Sequence, residues 1–185
     1  MDSYPPTTFP FKRIVVVGVT GSGKSMLAET LAKRLGVDFI ELDALNWKPD
    51  WVESGKEEFR AKVDAATRAP GWVLAGNYSE VRDITWPRAE FVIWLDFAFL
   101  LVFGRLWSRT WRRWWTKEVL WGTNYERLLP QFKLWSKESL FYWQVYSYGR
   151  QKRLYPQLLA SPEYAHLKYF RFQRPGDMQA WLDSI

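Results

Sequence analysis

The stretch that most constrains this chain is Gly18-Val19-Thr20-Gly21-Ser22-Gly23-Lys24-Ser25, which fits G-x-x-x-x-G-K-[ST]. A β-branched apolar run, Ile14-Val15-Val16-Val17, leads into it. Met26, Leu27, Leu31 and Leu35 follow on one side of a helical pattern that Gly36 ends. Strand, glycine loop and helix together make an anion cradle: backbone N–H groups turn inward around phosphate oxygens, and the helix N-terminus adds partial positive charge. The spacing predicts a nucleoside-triphosphate site lined by Gly18, Thr20, Gly21, Ser22 and Gly23. Lys24 is expected to reach the β- and γ-phosphates, and the Ser25 hydroxyl to ligate Mg²⁺.

Around this loop the chain alternates strand and helix signals. Arg13–Val17 reads as a strand and Ser25–Leu35 as its helix; Phe39–Leu42 reads as a second strand that delivers Asp43 at its C-terminal end. Ser54 and Glu57 form a capping-box pattern before a helix carrying Phe59, Val63 and Ala66, which Pro70-Gly71 stops. Trp72–Ala75, Phe91–Leu95 and Lys168–Phe172 read as further strands, with a last helix from about Pro175. Such alternation predicts an α/β fold with a parallel sheet covered on both faces and ligands at the strand C-termini. Residues 1–12, rich in proline, read as a disordered leader without the features of a secretion signal, and 13–185 as one domain.

The candidate site residues sit at those strand ends. A carboxylate at Asp43 would hold Mg²⁺ or accept a proton from an attacking hydroxyl. Asn77 and Arg82 follow the third strand as candidate acceptor ligands. Asp96 closes the fourth strand, either as a metal ligand of Walker-B type or as a helix cap. From Arg105 onward, at about 100° per residue, Trp107, Trp111, Trp114 and Trp115 fall on one helical arc and Arg105, Arg109, Arg112 and Arg113 on the opposite one. The expected packing turns the tryptophans inward or onto a neighbouring element and leaves an arginine ridge able to stabilise a transferring phosphoryl group, with Arg105 and Arg109 assigned to that task.

Charge is unevenly placed. Between Arg105 and Arg153 lie eleven Lys/Arg and three Glu, and seven of the thirteen tryptophans. This marks a basic, aromatic insert at about 105–155 on a near-neutral frame. The insert suits a lid over bound nucleotide, but also nucleic acid or a membrane surface. The chain has no cysteine, which removes disulfides and thiolate metal sites. Its longest apolar run, Phe91 to Phe103, is broken by Asp96 and too short to span a bilayer. These features lead to the expectation of a cytoplasmic protein.

Taken with their order and spacing, four motifs resemble the adenylate-kinase-related P-loop kinases, and most closely the branch labelled DNA topology modulation protein. They are Gly18 to Ser25, Leu42-Asp43-Ala44-Leu45-Asn46-Trp47-Lys48-Pro49 with Trp51, Gly76-Asn77-Tyr78-Ser79, and Val92-Ile93-Trp94-Leu95-Asp96. The resemblance covers about the first 110 residues. It implies a three-layer P-loop NTPase fold with a five-stranded parallel sheet and a helical lid, ATP and Mg²⁺ as cofactors, Arg105 against adenine and Arg109 on phosphate. Relatives commonly carry Asp-Gly where this chain has Ala75-Gly76, so one expected acidic group is missing. The expected activity is ATP-dependent phosphoryl transfer to a small hydroxyl- or phosphate-bearing acceptor. The alternative is a nucleotide-binding module of slow or no turnover that engages nucleic acid or membrane through the basic insert.

Overall fold

In the computed structural model, residues 9–117, 119–120, 124–125 and 140–185 are described. Five strands, β1 (Arg13–Gly18), β2 (Asp38–Glu41), β3 (Trp72–Ala75), β4 (Phe91–Leu95) and β7 (Lys168–Phe172), form one sheet in the order β2-β3-β1-β4-β7. All four pairings are parallel. Register sets Val16 beside Ala75, Glu41 beside Ala75 and Gly18 beside Leu95, so the C-terminal ends share one edge.

Residues Ile14 to Val17 are buried on both faces of β1, which is why the strand reads as an unbroken apolar run rather than an alternating one. Each such side chain contributes about 1.5–3 kcal/mol relative to exposure. Ile14 and Val16 pack with Leu27 and Leu31 of α1 (Lys24–Leu35) and with Met178 and Leu182 of α7 (Pro175–Asp183). Val15 and Val17 pack on the other face with Phe59 and Val63 of α3 (Lys56–Ala66), Trp86 of α4 (Arg82–Arg88) and Tyr155 of α6 (Leu140–Leu159). The result is the expected three-layer α/β sandwich.

Several local expectations shift. The second strand ends at Glu41, and Asp43 lies in the first turn of a short helix, α2 (Leu42–Asn46). Ser54 does not cap α3. Gly55 holds the N-cap position, while the buried Ser54 hydroxyl donates to the Leu45 carbonyl and accepts from Lys62. The folded part also begins before Arg13. Phe9 packs edge-on against Phe91 and Trp181, and Phe11 lies 4.8 Å from the Phe91 ring. The rest of the expected leader, 1–8, is outside the described residues.

The insert opens with α5 (Phe99–Thr116) and closes with α6; between them β5 (Val119–Leu120) and β6 (Asn124–Tyr125) pair antiparallel. The remainder of 118–139, including most of the polar turn from Trp121, lies outside the described residues. No described helix is long and apolar enough to cross a membrane.

Candidate active site

The loop is shaped by what lies against it. A Cβ on Gly18 would come within 2.9 Å of the Leu95 carbonyl oxygen. Gly21 has φ +82°, and a Cβ there would run into the Val102 carbonyl of α5. Both glycines are therefore demanded by neighbouring backbone as well as by any phosphate. α1 starts at Lys24 with Gly23 as N-cap, no side-chain cap and no acidic residue in its first turn. Its first N–H groups and its positive end are thus left to face an anion. The Ser22 hydroxyl is buried without a protein hydrogen-bond partner beside them. A polyphosphate chain would satisfy all three features.

Lys24 gathers the site's charges. Desolvation lowers the pKa of its ammonium group; Asp43 and Glu41 act against that shift and Arg109 adds to it. Lys24 of α1 therefore lies within electrostatic reach of the end of β2, α2 and α5. Asp43 accepts a 2.7 Å hydrogen bond from the Tyr78 hydroxyl. Burial first, then the Asp43 carboxylate, push the Tyr78 phenol above its ordinary range, so Tyr78 remains a donor there. The Arg82 guanidinium sits 5.6 Å over the Trp86 ring and borders a small pocket with Leu42, Gly76, Tyr78 and Thr85.

The α5 helix faces the other way from expectation. Val102, Leu106 and Thr110 are its buried side, and Arg109 and Arg113 are half-buried next to them. The tryptophans lie outward. The buried stripe of Val102, Leu106 and Thr110, with Val102 and Leu106 against Gly21, leaves Arg109 half-buried on the loop side of α5 while Arg105 stays exposed, 5.7 Å from the Phe97 ring.

Two further residues stand apart from the Lys24 group. Asn77 accepts from the Gly18 N–H and from the Tyr155 hydroxyl and donates to the Gly18 carbonyl, so it braces the loop's entry. Asp96 is buried and holds Arg171 through Nε at 3.0 Å and Nη2 at 2.6 Å, with Lys152 at 3.8 Å. Its carboxylate is occupied by cations of β7 and α6, and it caps no helix, since α5 begins at Phe99 with Ala98 as N-cap. No group of three His, Cys, Asp or Glu able to hold a metal occurs among the described residues. Ser25 and Asp43 could offer oxygen donors to a Mg²⁺ ion held mainly by phosphate oxygens and water.

Sequence reasoning passed over Glu41, Arg171 and Tyr155. Glu41 was visible as the last polar residue before Asp43. Arg171 and Tyr155 reach their partners only through the sheet register and the return of α6.

Across the insert, Asn124 accepts a 2.8 Å hydrogen bond from the Trp51 N–H and donates to the Lys48 carbonyl. Asp50 and Trp51 there adopt left-handed backbone, φ 61° and 60°. The β5–β6 pair is thereby pinned to the segment that follows Asp43.

With this geometry in place, comparison with known proteins places the fold. A family model described as ATPase family associated with various cellular activities (AAA) matches residues 14–75, from β1 through β3. Among solved structures, a shikimate kinase from Bacteroides thetaiotaomicron aligns with TM-score 0.56 and 16% identity over 94% of this chain and 95% of its own. A shikimate kinase from Acinetobacter baumannii in complex with shikimate aligns at 0.54 and 18% over 97% and 93%. A gluconokinase from Sinorhizobium meliloti 1021 aligns at 0.51 and 17% over 95% and 89%. The chain has the α/β fold of P-loop kinases. No curated protein matches it in sequence, and the finer resemblance to the DNA topology modulation branch rests on the sequence motifs alone.

Proposed function

We propose that the chain is an ATP-dependent phosphotransferase acting on a small acceptor that carries a hydroxyl and an anionic group. The observation that supports this reading is the uncapped, acid-free start of α1 behind the glycine loop, with the buried Ser22 hydroxyl beside it and Lys24 within electrostatic reach of Asp43 and Arg109. The loop amides and Lys24 would hold the β- and γ-phosphates, and Arg109 would spread the charge of the phosphoryl group in flight. Mg²⁺, when bound at Ser25 and Asp43, would neutralise phosphate charge. Asp43, steadied by Tyr78, would hold the acceptor hydroxyl and take its proton as that oxygen bonds to the γ-phosphorus and ADP departs. Arg82 would bind the acceptor's anionic group from the pocket beside Tyr78. The kinases that share the fold are named for shikimate and gluconate chemistry, and shikimate is itself a hydroxylated acid.

The test is coupled ADP release from Mg-ATP with a panel of hydroxy acids, sugars, nucleosides and nucleoside monophosphates. Acceptor-dependent release that Lys24→Ala abolishes supports the reading. No acceptor-dependent release across the panel from protein that binds Mg-ATP would overturn it.

A further inference from the structure

The outer face of α5 is apolar over its whole length. Leu100 is 82% exposed, Trp107 44%, Trp111 47%, Trp114 42% and Trp115 73%. At about 100° per residue these five fall within one arc roughly 100° wide, and from Leu100 to Trp115 the stripe runs roughly 22 Å. A helix on the outside of a globular protein normally turns such a stripe inward. Here the inward place is taken by Val102, Leu106 and Thr110, and the backbone of α5 is pressed against Gly21. Exposed Arg105 and Arg112 border the stripe along one side, and exposed Lys117 stands at its far end. Phe99–Thr116 contains four arginines and no acidic residue.

We propose that this face docks α5 flat on an anionic lipid bilayer, with the indoles and Leu100 in the headgroup–acyl boundary and Arg105, Arg112 and Lys117 on lipid phosphates. Three observations select that partner. Indole rings on the apolar side of a cationic helix match the membrane interface, where Trp is enriched and basic residues meet anionic headgroups. The Trp111 and Trp114 rings are inclined at 49° and the Trp114 and Trp115 rings at 61°. Splayed rings at one end of a stripe that ends in exposed Leu100 at the other suit insertion among acyl chains better than a base-stacking platform, which needs accessible flat aromatic faces in series. A second copy docking through the same face would bring together two helices that each carry four arginines and no acidic residue, an arrangement that like charges oppose. No described helix can span the bilayer, so the contact is lateral. The lipid arc is also opposite the arc that meets the phosphate loop, which leaves the nucleotide site open.

The experiment uses the full chain and vesicles of phosphatidylcholine with or without phosphatidylglycerol. Because the chain has no cysteine, Ser108→Cys, on the exposed side of α5, carries a single environment-sensitive fluorophore; Glu57→Cys on α3 serves as the control. Expected are sedimentation with anionic vesicles only, weakening with salt, and a blue shift with quenching by lipid-borne bromine for the Ser108 probe but not the Glu57 probe. Trp111→Ser combined with Trp115→Ser should weaken vesicle binding about tenfold or more while leaving the Mg-ATP thermal shift in place. Absence of binding to anionic vesicles would overturn the proposal, as would binding that leaves the Ser108 probe in water. It would equally be overturned if the tryptophan pair proved necessary for single-stranded DNA binding or dimerisation and not for vesicles. The probe measurement stands even if the double variant does not fold.

Discussion

Replacing Asn77 with alanine separates a strut from a ligand. In the structure its amide oxygen accepts from the Gly18 N–H at 3.2 Å and from the Tyr155 hydroxyl at 3.1 Å, while its amide nitrogen donates to the Gly18 carbonyl. Gly18 and Tyr155 are both buried, so alanine leaves three polar groups without this partner. At about 1 kcal/mol net per hydrogen bond the loss is about 3 kcal/mol, rising toward about 5 kcal/mol if water cannot reach the groups left behind. For a chain of this size, 3 kcal/mol corresponds to a fall in Tm of about 6–12 °C. Asn77→Asp adds a pH signature. A carboxylate would turn an acceptor toward the Gly18 carbonyl, whereas the protonated acid restores a donor. The fold therefore favours the protonated form and raises the folded-state pKa of the introduced group. Stability is then retained at low pH and lost as pH rises through that value. Thermal melts of ligand-free protein from about pH 4 to about pH 8 read both effects. An Asn77→Ala melt within about 1 °C of the parent, accompanied by a raised acceptor KM, would refute the strut and return Asn77 to the acceptor site.

Three more outcomes follow from the same geometry. Lys24→Met should abolish the Mg-ATP shift, which in the parent is worth about 2.7 kcal/mol at a hundredfold excess over Kd. Without ligand the parent's Lys24, lowered below its ordinary 10.5, binds fewer protons folded than unfolded, so the parent gains stability as pH rises toward 10.5 and the variant lacks that gain. Ligand-free melts across alkaline pH check the sign. Asp96→Asn should cost about 1–3 kcal/mol by weakening its hold on half-exposed Arg171 and Lys152, with the Mg²⁺ dependence of ATP binding unchanged; a loss of Mg²⁺ affinity would restore Asp96 as a metal ligand. Arg109→Ala should lower kcat about 10³-fold with ATP binding largely kept, and Arg109→Lys should recover little because a point charge replaces a planar fork; steady-state kinetics beside ATP titration decide it.

What the sequence made legible is whatever local chemistry dictates. The loop needs glycines where backbone crowds it, β1 needs a continuous apolar run because both its faces are covered, and these marks survive in one dimension. What it hid are choices between physically equivalent placements. Periodicity divides α5 into a tryptophan arc and an arginine arc but does not say which faces the sheet. That is decided a turn earlier by Val102, whose carbonyl meets Gly21, and the tryptophans are outside as a consequence. Ser54 and Glu57 have capping-box spacing, yet the serine is consumed by Leu45 and Lys62 once α2 folds back over α3. Asn77 and Asp96 occupy strand ends of the same kind as Asp43 and look alike in sequence. They part company through residues 59 to 78 positions away. The parallel register lays Arg171 of β7 beside Trp94, with its guanidinium 4.4 Å over that ring, and from there it reaches Asp96. Asp43 keeps a different role because its direct partner, Tyr78, is a neutral donor rather than a cation. Of the two strand-end carboxylates, Asp43 is the one whose described hydrogen-bond partner is not a cation, and the proposed substrate role falls to it for that reason.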